Sequence, residues 1–397
     1  MNRRLAWIGV ALSALAIIRA TTFASGTSTH GWSFSLASGD AAVGEIIQNL
    51  LLFLPLGICL TLAGVRPLIA IPLGAALSFS VEFSQQWIPG RDPSVGDIVC
   101  NTASTAFGVA LTRTAPRWLF ASPARAAWQT LGAAIVAILA WTGTGIALHP
   151  VVPAGPFQTI VRPDFNYYSL YQGTVLRARV LYGSLAVRAT LPDPPSYRSA
   201  PLAALIDAEG HRAIVLSVDR HDLALRYDML AVRARLEQPD LRWRNALAPP
   251  SIAPGDTFNA GTWHDGKTVC LGVNNHSRCN LGYTVGDGWK LIFFPEHFSG
   301  WLTDTIDGLW VLGCVFFVGL WAARAASETT APDRAARRRA ATARIAVAML
   351  LIGLIVVPWI TGLKGTTLVE WVCALLGIEF GLIVGTRSLQ LGVLASW

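Results

Sequence analysis

Apolar stretches of about 20 residues recur along the chain and are separated by short polar segments. They lie at roughly 5–23, 46–64, 67–87, 96–112, 127–148, 301–323, 344–363 and 366–386. Because a helix of about 20 apolar residues crosses a bilayer, this pattern predicts eight transmembrane helices. The first stretch follows Asn2-Arg3-Arg4, which is also found in cleaved signal peptides, but its length and Arg19 favour a helix that is retained.

Between the fifth and sixth stretches the pattern becomes that of β-strands. Apolar and polar residues alternate at 175–181, 185–188, 223–227 and 230–236, and a short apolar run covers 213–216. Turn sequences such as Glu209-Gly210 and Gly286-Asp287-Gly288 separate these segments. Many short strands with regular breaks predict an all-β sandwich or jelly roll.

The charged residues are concentrated in the central segment that is predicted to form strands. The chain is 53% hydrophobic and only 14% charged, whereas a soluble domain has about 25% charged residues. Residues 151–300 hold 28 of the 55 charged side chains, 15 basic and 13 acidic. The central segment is thus almost neutral, so the formal net charge of +7 does not indicate a nucleic-acid surface.

The sequence therefore predicts a multi-pass α-helical membrane protein with an inserted extracytoplasmic β-sandwich. We expect a five-helix membrane domain over 1–148, the sandwich over 151–300 and a three-helix membrane region over 301–397. Basic residues set the orientation, because one set of helix ends has only Arg91 and Lys364. The other set, which we predict to be cytoplasmic together with both termini, has Arg3, Arg4, Arg66, Arg113, Arg117, Arg125, Arg324, Arg334, Arg337, Arg338, Arg339, Arg344 and Arg387.

Two of the six cysteines lie in the segment predicted to be outside. A turn-rich stretch of eight residues separates Cys270 from Cys279. An oxidising compartment would favour a disulfide across a hairpin at this position. The alternative is a pair of free thiols.

Polar residues interrupt the second, third and fourth apolar stretches near their predicted outer ends. Such residues are costly in a membrane and indicate function by default. Glu82 and Gln85 share one helix face, as do Asp97 and Asn101, because residues three or four apart are neighbours on a helix. The predicted topology brings six residues to one membrane depth, at the outer leaflet: Asn49, Glu82, Gln85, Arg91, Asp97 and Asn101.

One cation between two carboxylates, with amides around them, is suited to a polar headgroup, a phosphate or a sugar. The carboxylates are also suited to acid–base catalysis. The alternative is a structural network that docks the third and fourth helices, with Asp97 at the start of the fourth.

At these residues the sequence resembles the VanZ-like membrane proteins, over about 46–110. The family pattern is matched by Asn49, Phe53, Pro55, Gly57, Glu82, Gln85, Arg91, Asp97 and Asn101. Ser104 replaces the usual Gly, and Gly108 follows as the family has it. The resemblance implies a role in the bacterial cell envelope, at the cytoplasmic (inner) membrane. The founding member is linked to low-level resistance to the glycopeptide teicoplanin.

The predicted sandwich loosely resembles concanavalin-like (laminin-G-like) domains, which often bind glycans. Aromatic residues suited to sugar stacking, or otherwise to a core, are Tyr167, Tyr168, Tyr171, Trp243, Trp263 and His264. Asp219, His221 and Asp222 are suited to a metal site or a solvated turn, and the turn is favoured. No cofactor motif is found, since no glycine-rich loop opens a helix.

The leading hypothesis is that the outer-leaflet group binds a lipid-linked or cell-wall glycan group without catalysis. The sandwich would bind a cell-wall glycan or an envelope protein, and neither metal nor nucleic acid is an expected partner. The alternative is a membrane hydrolase or transferase that acts on a lipid or glycolipid, with Glu82 or Asp97 as acid or base. A transporter is disfavoured because its site is expected near the bilayer midplane.

Overall fold

We analysed a computed structural model of the chain. It describes residues 3–22, 31–34, 40–151, 156–165, 168–181, 184–194, 198–249, 251–265, 268–294, 298–327 and 332–394. Tyr167, one of the aromatic residues considered for sugar stacking, lies outside these ranges.

Long helices lie at both ends of the chain and confirm the multi-pass architecture. Within the described ranges, seven of them are long and apolar enough to cross a membrane. Before the β domain they are α1 (Arg3–Thr21), α2 (Ala42–Leu62), α3 (Pro67–Gln85) and α5 (Pro123–Ala147). After it they are α7 (Gly300–Ala325), the continuous segment Pro332–Thr361, which comprises α8 (Pro332–Leu351), a π-helical turn and α9 (Val357–Thr361), and α10 (Leu368–Leu394).

The fourth predicted span is present as a helix but differs in composition. It is α4 (Val95–Leu119), and it is less apolar than the seven spans. Its polar side chains, including Asn101, Ser104 and Thr105, are buried because α4 packs against both α2 and α3. At about 1.5 Å per residue, its 25 residues are long enough to span the membrane beside them.

The chain forms two compact units. The first comprises residues 1–126 with 235–237, and the second comprises 127–234 and 238–397. In the first unit α1 to α4 surround a core that includes Ile17, Phe53, Leu56 and Val109. The fifth helix groups with the second unit, where the buried Trp141 of α5 packs in one cluster with Val311 of α7 and Met349 of α8.

The inserted domain has two five-stranded antiparallel sheets, which agrees with the predicted β-sandwich. One sheet has the order β1-β4-β5-β6-β7 and the other β10-β9-β8-β3-β2. The strands are β1 (Gln158–Val161), β2 (Val175–Leu181), β3 (Ser184–Thr190), β4 (Ala200–Ile206), β5 (Arg212–Asp219), β6 (Asp222–Tyr227), β7 (Leu241–Trp243), β8 (Thr257–Asp265), β9 (Thr268–Val273) and β10 (His276–Leu281).

The burial of the strands follows their positions in the sheets. β3 alternates between buried and exposed residues, which is typical of a strand with one solvated face. β4 and β5 are buried along almost their whole length, so both of their faces are covered and their sequences do not alternate.

The strand predicted at 230–236 is wrong. The structure has a short helix there, α6 (Leu230–Arg233). The alternation of apolar and basic residues in this stretch fits a strand. However, Met229 is buried, and it is the extended N-cap residue of the short helix. The backbone then turns, and Arg235 has a positive φ of 56°.

Glycines bring α7 and α10 into close parallel contact. A Cβ atom at Gly377, Gly381 or Gly385 of α10 would meet backbone atoms of Leu312, Phe316 or Leu320 of α7. Small residues at spacing four let membrane helices approach this closely. The last helix is therefore fixed to α7 along much of its length.

The predicted disulfide is confirmed. Cys270 on β9 and Cys279 on β10 are bonded across the hairpin. Cys270 is fully buried, whereas Cys279 lies on the exposed edge strand. The bond attaches this edge strand covalently to the rest of its sheet.

Candidate functional site

Three helices and one loop position the six residues predicted to form the outer-leaflet site. Asn49 lies in the second turn of α2, and Glu82 and Gln85 lie in the last turn of α3. Arg91 is in the loop that follows, and Asp97 and Asn101 lie in the first turns of α4. Ser94 caps α4 by accepting a hydrogen bond from the Gly96 amide at 3.1 Å. The structure places all six residues at one end of the first unit.

The contact between Asn49 and Asp97 joins α2 to α4. The Asn49 side-chain amide donates to the Asp97 carboxylate at 2.7 Å. About two turns further along α4, the Ser104 hydroxyl donates to the Leu50 carbonyl. Ser104 is the residue that replaces the family's usual Gly, and its side chain adds a polar contact where the helices are close.

Glu82 is the most buried ionisable residue of the group, with 2% of its surface exposed. One carboxylate oxygen accepts a hydrogen bond from the Ser94 amide at 2.9 Å. The charges of Asp97 and Arg91 both act on Glu82. The two carboxylates and the guanidinium are therefore close enough to form a single electrostatic group.

Gln85 and Arg91 contact the end of α1. The Gln85 amide donates to the Thr21 carbonyl at 3.3 Å, and the Arg91 guanidinium donates to the Ala20 carbonyl at 3.0 Å. The last carbonyls of a helix lack partners within the helix, so these bonds dock α1 onto the group. Part of the network is therefore structural.

Asn101 lies deeper and is almost fully buried. Its amide nitrogen donates to the Ser78 hydroxyl at 3.0 Å. Its side-chain oxygen has no hydrogen-bond partner among the described residues. A buried acceptor without a donor is costly, so this atom is a position at which a ligand hydroxyl or a water molecule would be favourable.

The sequence reasoning missed two further carboxylates. Glu45 on α2 interacts electrostatically with both Asp97 and Asp92. The available signal was the spacing, because Glu45 lies four residues before Asn49 and shares its helix face. With Glu45 and Asp92 the group has four carboxylates, and Arg235, which acts on Glu45, is a second cation beside Arg91.

Close helix packing sets the position of the whole group. A Cβ atom at Gly57 of α2 would meet the Thr105 carbonyl, and a Cβ atom at Gly108 of α4 would meet the Leu54 carbonyl. α2 and α4 therefore touch through their backbones just below the Asn49–Asp97 bond.

The aromatic residues considered for sugar binding lie in different parts of the sandwich. Tyr171 is fully buried, and its hydroxyl donates to the Thr190 carbonyl at 2.7 Å, so it belongs to the core. Trp263 packs over Gly272, and the side chain of His264 lies outside the described part of the structure. Trp243 lines an open cleft of about 390 Å³, together with Asn245, Ser251, Asn274, Asn275 and His276.

The Asp219 and Asp222 carboxylates bind a side chain that the sequence reasoning did not consider. The Arg242 guanidinium contacts Asp219 at 2.7 Å and Asp222 at 3.4 Å, and it forms a two-bond fork with Asp240. Burial acts to lower the pKa of Arg242, but Asp240 and Asp219 hold that pKa above its usual value. The favoured solvated turn is therefore wrong for Asp219, which is buried in an ion-pair network.

One group of potential metal ligands occurs among the described residues. Asp207, Glu209 and His211 lie in the turn between β4 and β5. The Asp207 carboxylate already accepts the backbone amides of Glu209 and His211, at 3.1 and 2.7 Å. These bonds are those of a side-chain-stabilised turn.

A comparison with known families identifies the first unit. The model of the VanZ/LLP1 family matches residues 7–118, so the resemblance predicted for about 46–110 is confirmed and extends through α1 and α4. No curated protein and no solved structure matches the chain, and the concanavalin-like resemblance of the sandwich stays a prediction. The chain is therefore a multi-pass membrane protein in which a segment that matches the VanZ/LLP1 family, residues 7–118, precedes an inserted β-sandwich domain.

Proposed function

We propose that the polar group at the end of the VanZ-like domain binds a lipid-linked or cell-wall glycan group in the bacterial envelope. The observation that carries this proposal is the set of buried acceptors. Glu82 and Asn101 are both 2% exposed, and the Asn101 side-chain oxygen lacks a donor among the described residues. Sugar hydroxyls are donors, so they suit such a site.

The remaining residues of the site supply orientation and charge. Arg91 would contact an anionic oxygen, such as that of a lipid phosphate, because guanidinium pairs well with phosphate. Asp97, held by Asn49, and Glu82 would accept hydroxyl protons or orient Arg91. An effect on teicoplanin susceptibility is part of this proposal, since a bound envelope glycan precursor is related to the target of glycopeptides.

We propose that the site lies at the outer leaflet of the inner membrane, with both termini cytoplasmic and residues 151–300 outside. Three features support this orientation. Thirteen arginines lie at the ends predicted to be cytoplasmic. Five helices of spanning length precede the β domain. The Cys270–Cys279 disulfide suits an oxidising compartment.

Native mass spectrometry of the full-length protein in mild detergent tests the membrane site. We expect a lipid or glycolipid adduct on the wild type, and about tenfold less adduct on Arg91→Ala, because a lost charged hydrogen bond costs about 1.5–3 kcal/mol. Arg113→Ala is the matched control, since Arg113 lies on α4 toward its other end. The mass of the adduct would identify the ligand class.

The same measurement separates binding from catalysis. A binding protein with Glu82→Gln should hold less ligand and yield no product from added lipid. An enzyme that uses Glu82 as acid or base should instead retain substrate on this variant and stop turnover. The binding proposal fails if no sample carries an adduct, or if Arg113→Ala loses it to the same extent as Arg91→Ala.

We propose further that the sandwich binds a neutral envelope glycan through the Trp243 cleft, with an envelope protein as the alternative partner. The cleft combines one aromatic ring with amides, a hydroxyl and an imidazole. An aromatic face with polar groups beside it suits a sugar ring. No carboxylate lines the cleft among the described residues, which favours an uncharged ligand.

A glycan array probed with the full-length protein tests this cleft. Trp243→Ala is expected to weaken binding of the recognised glycan about tenfold, because a buried aromatic anchor typically carries this much of an interface. Trp128→Ala, which removes an exposed tryptophan of α5, should leave binding unchanged. Equal binding by all three proteins would exclude the cleft.

A further inference from the structure

A second cavity, of about 590 Å³, lies within the second unit. Its walls are formed by β7 with the residues around it, by the end of β10, by a 3-10 turn at Val285–Leu291, and by the first turns of α7 and α10. It has no residue in common with the VanZ-like domain or with the Trp243 cleft.

The inner wall of the cavity is a closed polar network around Glu370. Glu370 is buried, with 1% of its surface exposed. One of its oxygens accepts the Thr284 hydroxyl and the Gly286 amide, and the other accepts the Thr367 amide at 2.6 Å. Both carboxylate oxygens of Glu370 thus accept hydrogen bonds from within the protein.

The buried cations of the cavity are also paired, each with more than one carboxylate. The Lys290 ammonium lies between the Asp287 and Asp307 carboxylates, and the Trp289 indole donates to Asp307 at 2.6 Å. Burial acts to lower the pKa of Lys290, but the two carboxylates outweigh it and hold that pKa above its usual value. Arg242, as described above, is matched by its own carboxylates.

Outside these two networks, the charged residues of the lining are mainly basic. Arg278 is exposed and Lys364 is half-buried, and neither forms an ion pair with another described residue. Arg244 reaches its one carboxylate partner, Asp222, only at 4.0 Å. Against these three cations the lining offers one exposed acid, Asp304.

The cavity lies beside the first turns of two membrane helices, and this place indicates where its ligand is found. α7 and α10 are both membrane spans, and the cavity is lined by Gly300, Thr303 and Asp304 of α7 and by Thr367 of the turn that starts α10. It therefore lies where two helices leave the lipid, at the level of the headgroups. The N-terminal end of α7 points its partial positive charge toward this level, which favours an anion, whereas Glu370 already caps the start of α10 through the Thr367 amide.

We propose that this cavity binds a phosphate group at the membrane surface, with an anionic phospholipid headgroup as the expected source. Arg278, Lys364 and Arg244 contact the phosphate oxygens. The network around Glu370 and Lys290 has three carboxylates and one cation, but these groups are bonded within the protein, so the phosphate is held by the other three cations of the lining. A soluble phosphate compound offers the same chemistry and is the other source to be tested.

Native mass spectrometry of the full-length protein, titrated with phosphatidylglycerol or with phosphatidylcholine of the same acyl chains, tests this site. The wild type is expected to prefer phosphatidylglycerol. The double variant Arg278→Gln/Lys364→Gln is expected to bind it about thirtyfold more weakly, since each basic residue near a membrane surface contributes about 1 kcal/mol. Binding of phosphatidylcholine should not change.

The matched control is Arg179→Gln/Arg188→Gln, which removes the same charge from exposed strand residues that do not line the cavity. Asp304→Asn provides the opposite test and should strengthen binding about threefold, because it removes the one exposed acid of the lining. If the double variant does not fold, the effect of Asp304→Asn on phosphatidylglycerol binding tests the proposal.

Added glycerol 3-phosphate distinguishes the two sources. Competition at concentrations comparable to the lipid assigns the site to a soluble phosphate compound, and lack of competition assigns it to the headgroup. The proposal is overturned if both lipids bind wild type equally, if the control pair loses as much affinity as the cavity pair, or if Asp304→Asn leaves binding unchanged.

Discussion

Replacing Arg242 by Met is expected to destabilise the β domain by about 3–5 kcal/mol, the cost typical of removing one partner from a buried ion pair. The Arg242 side chain is only 8% exposed, and Asp219 and Asp240 beside it are buried still further. Without the guanidinium these carboxylates would be buried charges with no cation. Met fills a similar volume but supplies no donor.

The measurement is the melting temperature of the full-length protein in detergent, followed by tryptophan fluorescence. A loss on the order of 10 °C is expected for Arg242→Met. Arg242→Lys should give an intermediate value, because it keeps the charge but loses the two-bond fork to Asp240. Arg188→Met, on an exposed strand position, is the control. A drop no larger than that of the control would show that the network contributes little.

Replacing Gly108 by Val is expected to separate α2 from α4. A Cβ atom at Gly108 would lie 2.5 Å from the Leu54 carbonyl oxygen and 3.0 Å from the Ile58 amide nitrogen. Both are backbone atoms, so they cannot rotate away, and the helices must move apart. Overpacking of this kind costs about 1–3 kcal/mol, and the displacement would also break the Asn49–Asp97 bond.

Thermal stability and the lipid adduct are to be measured together for this variant. Gly108→Val should lower the melting temperature and remove the adduct assigned to the VanZ-like domain, although Gly108 itself carries no polar group. Gly132→Val is the control, since no atom lies within 4 Å of a Cβ atom at this position of α5. A Gly108→Val protein that kept both properties would contradict the close packing of α2 on α4.

The helices and the membrane site were predictable because their signals are local. Runs of about 20 apolar residues locate the spans, and the alternating topology brings Asn49, Glu82 and Asp97 to one end without any knowledge of contacts. The hairpin disulfide was equally accessible, because its cysteines are nine positions apart.

The features that could not be predicted depend on residues far apart in the chain. Arg242 lies 23 positions from Asp219, and Glu370 lies 86 positions from Thr284, so no pattern in either segment indicates its partner. β4 does not alternate because both of its faces are covered. The stretch at 230–236 alternates without being a strand, because the burial of Met229 and the turn at Arg235 decide its backbone. Tertiary packing overrides local preference in both cases.

The connection between Glu370 and the 3-10 turn has a consequence for biosynthesis. The ten strands of the described residues lie between Gln158 and Leu281, so the sandwich is synthesised before either helix of the α7–α10 pair. Glu370, which accepts from Thr284 and Gly286, follows about 90 residues later, and at about 5–20 residues per second this interval lasts on the order of ten seconds. We therefore expect the β domain to form its strands first. The contacts of Glu370 with Thr284 and Gly286 should form only after α10 has been inserted and has packed against α7.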